Sequence, residues 1–222
     1  MMRKKNGVSK KKFKGKYIFP YDKGGQSKAE GGWLPKYYVK TGYYINWSIE
    51  AVNEMKLLPG FRHDGKEYYF VEGISFSHTG FYSPTFRKSS GTIFDTAGSS
   101  LFPKTCKIEE LLGLLNSQLF LFLFKSFINH TVNTAEDPLK VIPVIININS
   151  GLIMLVNQII TKQKLEPCYD YMTNEQLDID KLVFEMYNLN EEDIKEVENW
   201  YFRRYPKLAK VIEEKLKVKN ND

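Results

Sequence analysis

The stretch IEELLGLLNSQLFLFLFKSF, residues 108–127, decides the fold of this chain. Its large apolar side chains recur at helical spacing and cover a broad face: Ile108, Leu111, Leu112, Leu115, Leu119, Phe122 and Phe127. A face this broad predicts a helix that is buried on several sides. The charge-free part, residues 111–124, is too short to cross a membrane as a helix. We therefore expect one central helix that joins an N-terminal part to C-terminal helices.

The residues after this helix predict a helical bundle. Ser150 is expected to cap a helix that stops before Pro167. Asn190 and Asp193 have the spacing of a capping box, and Pro206 precedes a last apolar stripe. Residues 146–222 are therefore expected to form a helical C-terminal region.

The residues before the central helix are typical of strands and loops. Residues 37–45 and 67–74 are rich in Tyr, Val, Ile and Phe, which favours strands. Two Gly-Gly pairs, at 24–25 and 31–32, predict loops, and residues 86–90 are expected to form an exposed turn. The sequence thus predicts an α+β fold, with a mixed β-sheet domain with long loops over residues 16–145 and the helical region after it.

Charge is spread unevenly along the chain. Residues 1–40 hold twelve Lys or Arg against two acids, a net charge of +10, whereas the whole chain carries +6. Twenty of the 32 aromatic residues lie between Phe13 and Phe102. Residues 1–15 are expected to be a disordered basic tail, which serves either as a solubilising end or as a phosphate-binding arm.

Several classes of protein are excluded by what the sequence does not contain. It has neither of the common glycine-rich nucleotide loops, and no two prolines are adjacent. Cys106 and Cys168 are far apart, without a CxxC pair, so a zinc site and a disulfide framework are not expected. Without an apolar signal segment, the expected location is a reducing cytoplasm.

Three stretches carry a family resemblance. They follow one another along the chain: FPYDKGG (19–25) with YYINW (43–47), FYSP (81–84) with IFDTAGSSLFP (93–103), and LLGLLNSQL (111–119). This order resembles the C-terminal target-recognition region of bacterial adenine-specific DNA methyltransferases. The nearest groups are type IIG restriction–modification enzymes and BREX-type phage-defence methyltransferases, with a TaqI-like specificity domain. Residues 177–192 resemble the closing helix pair of such enzymes.

The resemblance implies DNA reading without the methylation chemistry. In the family, the methyl-donor loop and an Asn-Pro-Pro-Tyr pocket precede this region, and both are absent here. The implied ligand is therefore double-stranded DNA, and the implied partner is a catalytic methyltransferase domain or subunit, with no membrane role. No cofactor is expected in this chain, whereas the parent enzyme would use S-adenosylmethionine. We expect a truncated chain, the product of a split gene or a free specificity polypeptide.

Loop cations and amides are the candidate DNA contacts, because Arg pairs with guanine edges and Gln with adenine edges. Arg87 and Gln26 are the expected base readers. Lys23 with Gly24 and Gly25 is the expected phosphate contact, since glycine lets backbone N–H groups approach an anion. Further cations on loops complete the set: Lys28, Arg62 and Lys88.

Two other classes of function stay open. Glu54 and Lys56 match the E-x-K half of a nuclease motif, which would make the chain a small metal-dependent nuclease. The chain would otherwise be a protein-interaction module of a larger defence complex. DNA binding without Mg²⁺, and no cleavage with it, would separate the first hypothesis from the nuclease.

Overall fold

The computed structural model describes residues 8–9, 17–23, 33–62, 64–78, 84–94, 99–145 and 147–221. The strands are β1 (Val8–Ser9), β2 (Ile18–Asp22), β3 (Tyr44–Asn46), β4 (Gly73–Phe76), β5 (Phe86–Ser89), β6 (Ile93–Phe94) and β7 (Ser100–Leu101). The helices are α1 (Ile49–Lys56), α2 (Ile108–Asn116), α3 (Gln118–Leu123), α4 (Glu136–Leu139), α5 (Ser150–Leu165), α6 (Glu175–Met186), α7 (Glu191–Arg204) and α8 (Pro206–Lys219). The expected α+β fold, with strands before helices, is confirmed.

The first sheet has the strand order β1-β3-β2-β6. The pairs β1–β3 and β2–β3 are antiparallel, whereas β2 and β6 run parallel. Val8 and Ser9 lie in the segment expected to be a disordered tail, and their pairing with Ile45 and Tyr44 corrects that expectation for these two residues. The two residues pair with the free edge of β3, and the composition of the segment gives no sign of this partner.

The second sheet is antiparallel, in the order β5-β4-β7. All four residues of β4 are buried, as are Phe86 and Arg87 of β5. The exposed turn expected over residues 86–90 is therefore wrong: β5 pairs with β4 on one side, and the backbone of Tyr37 bonds Phe86 and Lys88 on the other. Pairing on both sides outweighs the Ser- and Lys-rich composition, which is typical of turns.

The central helix is broken, contrary to the single helix expected over residues 108–127. Helix α2 ends at Asn116, Ser117 is extended, and α3 continues to Leu123, followed by a π-helical turn at Phe124–Ile128. Ser117 Oγ accepts a hydrogen bond from the Phe120 amide, and Asp180 accepts one from the Gln118 amide at 2.7 Å. Side chains thus satisfy the amides at the start of α3, which makes the break stable.

The C-terminal region is helical, as predicted. Helix α7 has the predicted capping box of Asn190 and Asp193, and α8 begins at Pro206. Asn149, rather than Ser150, caps α5. One hydrophobic cluster contains Phe76 and Leu112 as well as Val156 and Ile179, so the core crosses the predicted boundary between residues 145 and 146.

Among the described residues, no single helix is long and apolar enough to span a membrane. Helices α2 and α3 with the π-helical turn reach that length only together, and they are bent by 59° at the break.

Candidate nucleic-acid interface

The parallel pairing of β2 and β6 places the C-terminal ends of both strands together. Asp22 pairs with Phe94, so the C-terminal ends of β2 and β6 lie side by side. Just before β7, the Ser99 carbonyl accepts a hydrogen bond from the Phe76 amide at the end of β4. The loop between β4 and β5 begins next to that contact. Loops that start together on a rigid sheet edge are a common way to build a recognition surface.

Arg87 of β5 lies next to Asp22 and is only 4% exposed. Its Nη2 is 2.9 Å from Asp22 Oδ1, and its Nη1 donates to Ser77 Oγ at 3.4 Å. Ser77 also bonds the Thr85 hydroxyl, which closes the base of the β4–β5 loop. The guanidinium thus joins the last residue of β2 to the first residue after β4. In this structure it holds loop ends together and is not presented to a base edge.

The other described candidates lie in two places. Lys88 is next to Arg87 in β5 and pairs with Glu72 at 3.0 Å and Glu109 at 2.6 Å. Lys23 follows Asp22, is exposed, and lies 5.5 Å from the centre of the Tyr43 ring. Arg62 pairs with Asp64 at 3.5 Å and lines a small aromatic pocket with Tyr21 and Trp47.

The structure therefore brings Arg87 and Lys88 together in one cleft, which Lys23 and Arg62 do not line. In β2, Tyr21 lines the pocket of Arg62 while Pro20 and Asp22 line a cleft beside Arg87. Because side chains alternate along a strand, Arg62 belongs to the opposite face of the first sheet. The predicted contacts Gly24, Gly25, Gln26 and Lys28 lie outside the described residues, so their predicted DNA contacts stay predictions.

A cleft of about 370 Å³ separates the strands from α5. Its walls come from β2, β3, β5, residues 38–41 and the C-terminal end of α5, and its cations are Lys40, Arg87, Lys88 and Lys164. Asp22 and Glu72 line it as well, and each is paired with one of the cations of β5. Within the described part of the chain, neither Lys40 nor Lys164 has a carboxylate partner. The cleft thus carries a surplus of positive charge at those two lysines.

Lys36 belongs to the basic N-terminal forty residues, but the structure does not leave it available to a phosphate. Lys36 is 5% exposed, and its Nζ donates to the Asn116 carbonyl at 3.1 Å. Burial lowers its pKa to about 8. Sequence reasoning missed Lys164, because its position at the end of a predicted core helix gave no sign that it faces the strands.

A buried polar network surrounds the helix break. The Asn116 side chain exchanges two hydrogen bonds with the backbone of Phe86, at 2.9 and 3.3 Å. Gln176 accepts from the Tyr37 hydroxyl at 2.8 Å and donates to the Asn116 carbonyl at 3.4 Å. Burial raises the pKa of Asp180 in the same network to about 7. These bonds attach the edge of β5 to the break and so hold the cleft wall against the helices.

The rival nuclease motif lies on α1. Glu54 and Lys56 are both exposed there. Residues two apart on a helix point to different sides, so these two side chains do not form one site. Within the described ranges, no group of three or more His, Cys, Asp or Glu side chains is arranged to hold a metal ion.

No protein-family model and no curated protein matches this chain.

Proposed function

We propose that this chain is the sequence-specific DNA-recognition part of an adenine-N6 DNA methyltransferase of the restriction–modification or phage-defence kind. The observation that carries the proposal is the spatial arrangement of the three stretches that resemble such enzymes. Strands β2 and β3 of the first stretch pair with each other, and β2 pairs with β6 of the second. Asn116 of the third stretch bonds β5, which is joined through β4 to β7 of the second stretch. Stretches separated in the sequence thus belong to one connected framework.

The chemistry of adenine methylation supports the proposal. The target base must leave the duplex before its exocyclic amine can react, so the enzyme needs a second grip that selects the site. That grip needs cations for phosphates and polar loop side chains for base edges. The basic N-terminal forty residues, and the loop ends gathered at Asp22 and Phe94, are suited to this task. S-adenosylmethionine would bind to the catalytic partner.

The test is selection of duplexes from a randomised pool by the full chain at low salt. Products of the neighbouring genes are added in a second arm, because the catalytic partner supplies part of the contacts that hold the DNA. We expect one sequence to be enriched, in EDTA as well as in Mg²⁺, without cleavage. If about five phosphates are neutralised, log K should fall with log salt at a slope of roughly −4 to −5.

Two outcomes would count against the proposal. Failure to retain any duplex at low salt in both arms would overturn it. Cleavage that depends on Mg²⁺ and is lost in Glu54→Gln would favour the nuclease instead.

A further inference from the structure

The cleft between the strands and α5 has the size of a small-molecule site. Its volume of about 370 Å³ lies within the range of roughly 300–1,000 Å³ that is usual for such sites. A cleft of this size cannot take in a duplex, but it admits a single nucleotide. Its walls come from parts of the chain that are far apart in the sequence, β2 and β5 on one side and α5 on the other.

The charge of the cleft favours an anionic ligand. Arg87 and Lys88 are each neutralised by a carboxylate within 3.0 Å. Lys40 and Lys164 are exposed and, among the residues that the structure describes, have no such partner. Two lysines that line one cleft attract a phosphate, which ammonium groups bind as point charges.

The lining of the cleft also offers aromatic surface. Tyr38 and Tyr44 both line it, and Lys164 Nζ lies 5.7 Å from the centre of the Tyr38 ring. An aromatic face next to a cation binds a nucleobase by stacking while the cation binds the adjoining phosphate. An aliphatic acid or inorganic anion would use the lysines and leave the two rings without a role.

We propose that this cleft binds a single nucleotide, with its phosphate between Lys40 and Lys164 and its base against Tyr38 or Tyr44. A free nucleoside monophosphate and an extrahelical nucleotide of bound DNA share this chemistry. Only binding of an extrahelical nucleotide rests on the proposed function.

The experiment uses the full chain and two fluorescent probes. The first is 2-aminopurine deoxyriboside monophosphate, compared with its unphosphorylated nucleoside. The second is a short duplex with one unpaired 2-aminopurine nucleotide, compared with a fully paired duplex. We expect the chain to quench the bound probe by stacking, and to bind the monophosphate at least tenfold more tightly than the nucleoside.

Variants assign the signal to the cleft. Lys40→Gln/Lys164→Gln should weaken binding of the responding probe at least tenfold, and Tyr38→Leu or Tyr44→Leu should reduce the quenching. The matched control, Lys195→Gln/Lys217→Gln, removes two exposed lysines of α7 and α8 and should stay within twofold of the parent. Equal melting temperatures would show that all variants are folded.

The outcomes separate this inference from the proposed function. Response to the monophosphate alone identifies a free nucleotide as the ligand, and response to the unpaired duplex identifies an extrahelical one. If duplexes bind but neither probe responds, or if both lysine pairs weaken binding equally, the cleft inference is wrong and the proposed function stands. If the monophosphate binds and no duplex does, even with the products of the neighbouring genes added, the cleft is a nucleotide site and the proposed function fails.

Discussion

The strand edge around Arg87 and the helix break around Asn116 both bury polar groups, but they satisfy them differently. At the strand edge, a guanidinium meets a carboxylate at 2.9 Å, so the charges compensate each other directly. At the break, Lys36 and Asp180 bond backbone groups instead, and burial moves both pKa values toward neutrality. Loss of either Arg87 or Asp22 should therefore destabilise the protein at the strand edge. At the helix break, stability should instead depend on pH.

The largest expected effect concerns the core beside the break. Leu115 is 5% exposed, so Leu115→Asp would bury a charge and cost several kcal/mol of unfolding free energy, enough to unfold the protein. Thermal melting followed by circular dichroism measures this. Leu165→Asp is the matched control, because that side chain is 84% exposed and should change the melting temperature little. A Leu115→Asp variant that melts within a few degrees of the parent would place α2 outside the core.

The next effect tests the strand edge. Asp22→Ala leaves the Arg87 guanidinium buried without its anion, which should cost about 3–5 kcal/mol of unfolding free energy. Denaturant unfolding of Asp22→Ala, Arg87→Met and the double variant measures the coupling between them. We expect the double variant to be more stable than the sum of the two losses implies, because it leaves neither charge unpaired. Additive losses would show that the pair does not act as a unit.

The helix break should respond to pH. The pKa of Asp180 is raised to about 7 in the folded protein, so its contribution to stability is fully present below its unfolded pKa near 4. This contribution is lost as pH rises through about 7. Lys36 stays protonated over that range, because its pKa is about 8.

Asp180→Asn keeps an oxygen for the Gln118 amide but removes the titration. Between pH 4 and 7, the parent should therefore lose about 1–3 kcal/mol more unfolding free energy than Asp180→Asn does. Urea unfolding at several pH values measures the difference. Asp178→Asn, an exposed acid of the same helix, should follow the parent. If the unfolding free energy of Asp180→Asn falls with pH as steeply as that of the parent, Asp180 is not the titrating group.

The smallest effect concerns the basic N-terminal segment, and it extends the comparison to the part of the chain with the highest net positive charge. Lys10, Lys11 and Lys12 are changed to Gln, because deleting residues 1–12 would also remove β1. Under the proposed function, affinity should fall equally for the selected and for random duplexes. The magnitude of the salt slope should fall by at most about 3, roughly 0.9 for each phosphate that is no longer neutralised. A weakening confined to the selected duplex would make these lysines sequence readers.

Arg87 and Lys36 illustrate why candidate sites are hard to read from a sequence. Arg87 stands in a Ser- and Lys-rich segment and Lys36 in the basic N-terminal forty residues, and both contexts are typical of exposed DNA-binding residues. Arg87 is buried because Asp22, 65 residues away, lies beside it. Lys36 is buried because a helix end 80 residues away offers it a carbonyl. Contacts at such separations leave no local pattern in the chain.

What the sequence determined by itself is the helical second half and the order of strands before helices. Apolar spacing, the Asn190 capping box and the proline at the start of α8 are local signals that act within a few residues. The tertiary structure alone decided the break at Ser117, the short strands and the cleft. The break depends on Asp180 from another helix, and strands as short as Ile93–Phe94 exist because a neighbour pairs with them. Hydrogen bonds between distant segments decide these features, since local propensity in this part of the chain is too weak to do so.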